Sequence, residues 1–148
     1  MFWIIVLIVI ALDRLSKIAV LNNMRLGQFI ELGETGLGLR YVQNTGAAFS
    51  FMSGKTGFLI FFTALLMAAL CAYYFKYRSS MSRLETVFLA MILGGGLGNF
   101  IDRLMFGYVV DFLDIRVIPI FNVADICITC GCILFAVFAF MGDSVLKS

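Results

Sequence analysis

Four long apolar stretches, separated by short polar segments, account for most of the chain. They cover roughly residues 2–21, 57–75, 84–101 and 120–141. Each is close to the ~20 apolar residues that an α-helix needs to cross the hydrocarbon core of a bilayer. The pattern predicts an all-α integral membrane protein, in which a bundle of four transmembrane helices forms a single membrane domain over residues 1–148.

Composition supports a membrane protein and removes several kinds of chemistry. Hydrophobic residues make up 62% of the chain and charged residues 14%, whereas soluble domains are about half apolar and about a quarter charged. The net charge of +2 is small and dispersed, so we expect no nucleic-acid partner. The chain has no histidine, which excludes a Ser-His-Asp triad and a histidine zinc site.

The cysteines raise the question of a metal or redox site. Cys127, Cys130 and Cys132 are closely spaced, but Cys71 belongs to another span. Membrane helices use small residues where they pack, and cysteine behaves as a small hydrophobic residue. We therefore interpret these cysteines as structural and expect neither a metal nor a cofactor.

The distribution of cations predicts the orientation of the spans. The short segment 76–83 has three cations and no acid, which is typical of a cytoplasmic loop. Four spans then place both termini in the cytoplasm and the loops 22–56 and 102–119 outside. The first outer loop is long, and residues 37–42 are rich in strand-forming residues. We therefore predict a small extracytoplasmic β-cradle on the membrane surface.

With this orientation, the polar residues of three spans share one depth near the outer face. Ionisable groups inside a membrane are costly and therefore functional candidates. Asp13 and Lys17 are four residues apart, which predicts an ion pair on one helix face. Arg103 is a candidate to hold Asp102 or to neutralise a catalytic carboxylate. The whole layer comprises Asp13, Lys17, Asn99, Asp102, Arg103, Asn122 and Asp125.

Two aspartates could form a catalytic carboxyl pair. Asp111 follows the third span and Asp125 begins the fourth. In such a pair one carboxylate activates water and a protonated partner binds the scissile carbonyl, because both cannot ionise cheaply. The alternative is that each aspartate caps a helix or pairs with Arg103 or Arg116. Spacing alone does not select Asp111 over Asp114.

Two further patterns concern helix packing and a candidate Ser-Lys hydrolase. Gly94 and Gly98 form a small-xxx-small pattern, which predicts close packing of the third span on a neighbour. A Ser-Lys hydrolase could use Ser50 or Ser53 with Lys55, or Ser16 beside Lys17, but it needs a neutral lysine. We expect Lys17 to be paired with Asp13 instead.

Taken together, the motifs resemble the bacterial lipoprotein signal peptidase family, also called signal peptidase II. Four blocks in the order of the family carry the resemblance: DRLSK at 13–17, NTGAAFS at 44–50, the stretch 98–112 from GNFIDR through GYVVDF, and FNVAD at 121–125. The resemblance covers nearly the whole chain. It departs from the family at Ile126, where serine is common.

The resemblance implies an aspartic endopeptidase of the bacterial cytoplasmic (inner) membrane. The family removes signal peptides from prolipoproteins, cleaving before a cysteine that carries diacylglycerol. Its catalytic aspartates correspond to Asp111 and Asp125, which selects against Asp114. Its supporting polar residues correspond to Asp13, Lys17, Asn44, Asn99, Asp102, Arg103 and Asn122.

The remaining expectations concern partners. We expect membrane lipid at the spans, inhibition by the cyclic peptide antibiotics that target the family, and substrate contacts by Asn44 and the small residues that begin at Gly46. The alternative function is a small membrane channel or transporter with an acidic relay, since intramembrane acids also suit ion movement.

Overall fold

Four long helices and a small sheet make up the described part of the protein. The structure, a computed structural model, describes residues 1–33, 36–46 and 56–145. The helices are α1 (Phe2–Asn23), α2 (Thr56–Tyr77), α3 (Arg83–Phe106) and α4 (Val123–Val145). The strands are β1 (Phe29–Glu31), β2 (Gly38–Asn44) and β3 (Val109–Asp114).

Three of these helices are long and apolar enough to cross a membrane. The segments Thr56–Tyr77, Arg83–Phe106 and Val123–Phe140 have mean hydropathies of 2.2, 1.6 and 2.4. Large apolar side chains on their outer faces are exposed, as lipid-facing residues are. The protein is therefore a multi-pass membrane protein. Helix α1 has a similar length but contains three charged residues in its second half.

Local signals fix the ends of α3 and the start of α4. Ser82 and Glu85 form a capping box at the start of α3, and Gly107 ends the helix in the left-handed conformation (φ 78°). Helix α3 therefore continues past the predicted span. Helix α4 begins later than the predicted span because the backbone of Phe121 is still hydrogen-bonded to Leu113, at 2.8 and 3.2 Å.

Helix α3 lies at the centre and contacts the other three helices. Its glycines make this possible: Gly94 lies against Val9 of α1, and Gly95 lies against the backbone of Ala124 in α4. The predicted close packing of the third span is confirmed. Because α3 has no side chain at these positions, the start of α4 is brought next to its polar end.

The sheet is antiparallel with the order β1-β2-β3. The predicted strand is present as β2, whereas β3 occupies a segment that we had expected to be only a loop. Val42 pairs with Asp111, and the register shifts between Leu39 and Val42. The sheet packs on the end of α1 through a core that consists of Val20, Met24, Tyr41, Val110 and Phe112.

The close approach of α3 to α4 predicts the effect of one added methyl group. A Cβ at Gly95 would lie 2.5 Å from the carbonyl oxygen of Ala124, a backbone atom that cannot rotate away. We expect Gly95→Ala to lower the free energy of unfolding by about 1–3 kcal/mol, the usual cost of overpacking. Thermal unfolding in detergent measures this change.

Gly57→Ala is the matched control, because a Cβ at Gly57 meets no described atom within 4 Å. Alanine is also the better helix former. Equal midpoints for Gly95→Ala and the unmodified protein would show that α3 and α4 are less tightly packed than described.

Candidate active site

Asp111 is a buried carboxylate on the last strand of the sheet. It lies on β3, and only 2% of its surface is exposed. Strand pairing with β2 brings Asn44 to its side, and Asn44 Nδ2 donates to Asp111 Oδ2 at 2.8 Å. Asn122 Nδ2 donates to the other oxygen, Oδ1, at 2.7 Å. Both carboxyl oxygens therefore accept a hydrogen bond from an amide.

Asp125 lies in the first turn of α4, where it forms a reciprocal cap with Asn122. The backbone N–H of Asp125 donates to Asn122 Oδ1 at 2.9 Å, and the backbone N–H of Asn122 donates to Asp125 Oδ2 at 3.1 Å. The arrangement is that of a capping box, in which two end groups of a helix satisfy each other. Asn99 Nδ2 donates to the remaining oxygen, Asp125 Oδ1, at 2.8 Å.

Asn122 therefore connects the two aspartates directly. Its amide nitrogen contacts Asp111 and its backbone contacts Asp125. It is fully buried, and it also donates to Asn99 Oδ1 at 3.1 Å. Asp125 does cap a helix, which was the structural alternative for it. Its carboxyl is nevertheless half-buried and faces the same cleft as Asp111.

The cleft that both carboxyls face has a volume of about 280 Å³. Its polar walls come from the predicted site residues, and its apolar walls come from the β3–α4 connection. Among its lining residues, Pro119, Ile120 and Phe121 were not anticipated from the sequence. Its polar lining consists of Asn44, Gly46, Asn99, Arg103, Asp111 and Asp125.

Burial changes the acidity of Asp111. Loss of solvent raises the pKa of this carboxyl to about 6 from 3.8, although the hydrogen bonds from Asn44 and Asn122 oppose the rise. The negative charge of Asp125 raises it further, because two nearby carboxylates resist ionising together. Asp111 can therefore hold or release a proton near neutral pH, as an acid-base catalyst must.

A buried ion network lies beneath the two aspartates. Lys17 Nζ lies 2.8 Å from Asp13 Oδ2 and 2.9 Å from Asp102 Oδ2, and all three side chains are fully buried. Arg14 pairs with the other oxygen of Asp102. The network therefore contains two cations and two anions, so that its buried charges are balanced.

The network also joins four elements of the fold. Asp13 Oδ1 accepts the backbone N–H of Ala124 at the start of α4, at 3.0 Å. Asp102 Oδ2 accepts the backbone N–H of Val110 in β3, at 3.1 Å. The predicted Asp13–Lys17 ion pair is thus present, and it holds α1, α3, α4 and β3 in register.

Of the two roles considered for Arg103, holding Asp102 or neutralising a catalytic carboxylate, the described ion pairs do not include the first. Asp102 is held by Lys17 and Arg14, and the side chain of Arg103 is not within ion-pair distance of any described carboxylate. Its guanidinium makes one long hydrogen bond, 3.5 Å, to the backbone oxygen of Asn99. Arg103 instead lines the cleft, where its other donors have no partner among the described residues. Arg14 was missed, although it stands next to Asp13 in the sequence.

Asp114 has a different environment from Asp111, although both lie on β3. Arg40 Nε donates to Asp114 Oδ2 at 2.8 Å, and the backbone N–H of Arg116 donates to Oδ1 at 3.0 Å. Partial desolvation raises the pKa of Asp114, but these contacts outweigh it and hold that pKa below its usual value. Asp114, and not Asp111, is thus the aspartate that forms ion pairs, with Arg40 and with Arg116.

A second, mostly apolar groove meets the cleft at Asn99 and Arg103. It has a volume of about 260 Å³ and lies between α2, α3 and α4. Such a groove can accept an apolar segment of a ligand while the polar end reaches the cleft. Its apolar lining consists of Leu66, Met67, Ile92, Gly96 and Ile128.

The remaining residues singled out in the sequence are partly outside the described ranges and partly engaged elsewhere. Ser50, Ser53 and Lys55, and the small residues after Gly46, lie outside the described residues. Ser16 donates to the backbone oxygen of Asp13, and Lys17 is fully paired. None of the four cysteines forms a disulfide, and no metal-binding group of acids and cysteines occurs in the described ranges.

Comparisons with known proteins identify the family of this chain. A sequence profile of the family described as signal peptidase (SPase) II matches residues 5–141. The lipoprotein signal peptidase of Halothermothrix orenii is 40% identical over 145 residues, 98% of this chain and 99% of that protein. The lipoprotein signal peptidase of Syntrophomonas wolfei is 44% identical over 133 residues, 90% of this chain and 88% of that protein.

Solved structures give the same result. A bacterial membrane enzyme determined by the in meso method at 2.3 Å resolution superposes with a TM-score of 0.89 and 32% identity, covering 99% of this chain and 91% of that one. A second, determined at 1.9 Å, has a TM-score of 0.83 and 33% identity over 93% of this chain and 91% of that one. With matching sequence, fold and length, the chain belongs to the signal peptidase II family of proteases.

Proposed function

We propose that this protein removes signal peptides from prolipoproteins and that Asp111 and Asp125 are its catalytic pair. The observation that carries the proposal is that both carboxyls face one cleft and are joined by a single buried side chain, Asn122. Family membership supports the substrate class. We further propose that cleavage occurs before a cysteine that carries diacylglycerol.

The proposed chemistry is direct attack of water on the scissile carbonyl. The ionised carboxyl takes a proton from water, and the water oxygen bonds to the carbonyl carbon. The protonated carboxyl donates a hydrogen bond to the carbonyl oxygen. When the C–N bond breaks, the leaving nitrogen takes a proton from the carboxyl pair, which is left with one proton as before. The elevated pKa of Asp111, about 6, supports a shared proton in this pair. The mechanism requires no covalent intermediate and no metal.

The neighbouring groups would bind the substrate. Arg103 stands where the polar cleft meets the apolar groove, so its guanidinium donors suit a backbone carbonyl of the substrate. Asn44 and Gly46 line the other wall. The apolar groove suits the hydrophobic part of the signal peptide, and the surrounding membrane lipid suits the acyl chains. We expect the cyclic peptide antibiotics that inhibit the family to occupy this cleft.

We also propose that all four helices cross the bacterial inner membrane, with both termini in the cytoplasm and the site near the outer face. The charges of α1 support this topology, because Asp13 and Lys17 are buried inside the bundle and not presented to lipid. The cationic segment 76–83 precedes α3, whereas Asn99 and Asp102 lie at the opposite end of that helix. The whole chain then functions as one membrane domain, with the sheet as its outer cradle.

A channel or transporter is less consistent with the interior of the bundle. The described half of the bundle away from the cleft is filled by apolar side chains that pack against one another. A permeation path would need polar positions there as well. The residues of that core are Phe2, Val6, Met67, Leu89, Ala90 and Leu93.

Replacement of either catalytic carboxyl should abolish cleavage. We expect Asp111→Asn and Asp125→Asn to reduce kcat by about 100-fold or more, since each removes an acid-base group. The assay is cleavage of a diacylglyceryl-modified prolipoprotein peptide in detergent, with the elution profile of each variant as a check on folding. Asp114→Asn is the matched control on the same strand and should retain cleavage. Normal cleavage by a folded Asp111→Asn variant would remove Asp111 from the mechanism.

The elevated pKa of Asp111 predicts how stability depends on pH. The folded protein binds the Asp111 proton more tightly than the unfolded chain does. The contribution of this proton to the free energy of unfolding is therefore fully present below pH 3.8 and is lost as the pH rises to about 6. The loss amounts to roughly 3 kcal/mol for a shift of this size. Thermal unfolding of the unmodified protein and of Asp111→Asn, from pH 3.5 to about 7, measures it.

Only the change with pH matters in this comparison, because the exchanged amide adds a constant offset. The stability of the unmodified protein relative to Asp111→Asn should fall as the pH rises. A difference that stays constant, or that grows with pH, would contradict the burial of an acidic carboxyl at this position.

If the apolar groove binds the substrate, a substitution in it should change KM and leave kcat nearly unchanged. Leu66 lines the groove, and its neighbour Leu65 is similarly exposed but does not line it. We expect Leu66→Trp to raise KM for the lipidated peptide several-fold with little change in kcat, because it obstructs binding alone. Leu65→Trp is the control and should leave both constants unchanged. Equal KM values for the two variants would mean that the substrate does not use this groove.

A further inference from the structure

Three asparagine side chains donate to the two aspartates, and the orientation of each is fixed by a neighbour that can only donate. Gly46 N–H donates to Asn44 Oδ1 at 3.0 Å, and Asp125 N–H donates to Asn122 Oδ1 at 2.9 Å. The oxygen of each amide is therefore assigned, and its nitrogen must face Asp111. In these two cases the fixing group is a backbone N–H.

The third asparagine, Asn99, is fixed by two side chains, and Asn122 Nδ2 is one of them, donating to Asn99 Oδ1 at 3.1 Å. Lys17 Nζ donates to Asn99 Oδ1 at 3.0 Å, and an ammonium group has no acceptor. The oxygen of Asn99 must face Lys17, so Nδ2 must face Asp125 Oδ1, where it donates at 2.8 Å. With the amide reversed, an oxygen would face the carboxylate. Lys17 therefore acts on Asp125 indirectly: it binds the oxygen of the Asn99 amide, so that the nitrogen of the same amide faces Asp125.

Building on the proposed function, we propose that Lys17 is a positioning residue that holds the Asn99 amide in one direction, so that Asp125 is the ionised base and Asp111 carries the proton of the pair. Lys17 does not itself contact the cleft: it is fully buried, and its three donors are used by Asp13, Asp102 and Asn99. Its effect on the reaction therefore passes through Asn99.

Geometry distinguishes the two carboxyls. Asp125 lies at the positive end of α4, and one of its donors is a backbone N–H of that end, which favours a negative charge. Asp111 lies on a strand at the wall of the cleft, is 2% exposed, and has amide side chains as its described donors. The charged groups around Asp125 are Asp13 and Lys17 from α1, Asp102 and Arg103 from α3, and Asp111 from β3.

The Asp13–Lys17–Asp102–Arg14 network balances its own charges, so the cation left to face the pair, among the residues that the structure describes, is Arg103. One cation favours one negative charge on the pair. Each carboxyl accepts two hydrogen bonds, so the difference lies in the helix end at Asp125, which favours the charge there, and in the deeper burial of Asp111. The second carboxyl then keeps its proton and is ready to donate to the scissile carbonyl.

Asn99→Asp tests the direction of the amide with almost no change in shape. One oxygen of the new carboxylate can keep the contact with Lys17, and the other replaces Nδ2 and faces Asp125 Oδ1. Two acceptors then face each other, and a proton must lie between them. We expect kcat at pH 6 to fall by about 100-fold or more, as for loss of a general base. We expect the acid limb of the pH–kcat profile to move to higher pH, with KM little changed.

Asn23→Asp is the matched control. Asn23 is exposed at the end of α1 and donates to the backbone oxygen of Ala19. The same chemical change there should leave the pH profile as it is in the unmodified enzyme. An unshifted acid limb in a folded Asn99→Asp variant would overturn the proposal.

The role of Lys17 itself is tested by the double variant Asp13→Asn/Lys17→Met. It removes one anion and one cation together, while Asp102 keeps Arg14. Asn122 is then the one described donor left to hold Asn99 Oδ1, so the amide is held less strictly in direction. We expect a lower kcat and the same direction of shift in the acid limb. A folded double variant with the unmodified kcat and profile would show that Lys17 does not position Asn99 for catalysis.

Infrared spectroscopy at pH 5 shows which of the two aspartates carries the proton, and it does not depend on whether the network variants fold. The carbonyl stretch of a protonated carboxyl in the unmodified protein should disappear in Asp111→Asn and remain in Asp125→Asn. Loss of that band in Asp125→Asn alone, or its presence in both, would overturn the proposal. Cleavage by the unmodified enzyme is recorded in parallel, so that failure of the proposed function is seen separately.

Discussion

A lysine ammonium sealed from water must be surrounded by acceptors, and this requirement organises the protein. Lys17 is fully buried, and Asp13, Asp102 and Asn99 supply one acceptor each. The same carboxylates accept backbone N–H groups from the start of α4 and from β3. A helix rotated or displaced by one residue would leave a buried charge unpaired, which is strongly unfavourable. The ion network thus specifies which ends of the elements meet.

The candidate site lies directly on top of this network and has little freedom of its own. All four carboxyl oxygens of Asp111 and Asp125 accept a hydrogen bond, and the three amides involved have fixed directions. Such preorganisation costs no rearrangement during a reaction, which is why it favours catalysis over simple binding. The glycines of α3 contribute indirectly, because they let α4 approach closely enough for Asn122 to reach both aspartates.

Periodicity and spacing in the sequence predicted the parts that depend on a single element. The Asp13–Lys17 pair follows from one helical turn, and the packing of α3 follows from its glycine spacing. Contacts between elements were harder to predict. Arg14 and not Arg103 reaches Asp102, because helix rotation decides which neighbouring cation faces inward. Strand β3 was missed because it is short and buried, and because its carboxylates break the alternation that marks a surface strand.

The central claim is that Asp111 and Asp125 act as one unit joined by Asn122. The most direct test compares the cleavage rate of the double variant Asp111→Asn/Asp125→Asn with those of the two single variants. Groups that act as a unit are strongly non-additive, so the double variant should be no slower than the slower single variant. If the losses instead multiply, the two carboxyls act independently, and the account of a coupled aspartic pair is wrong.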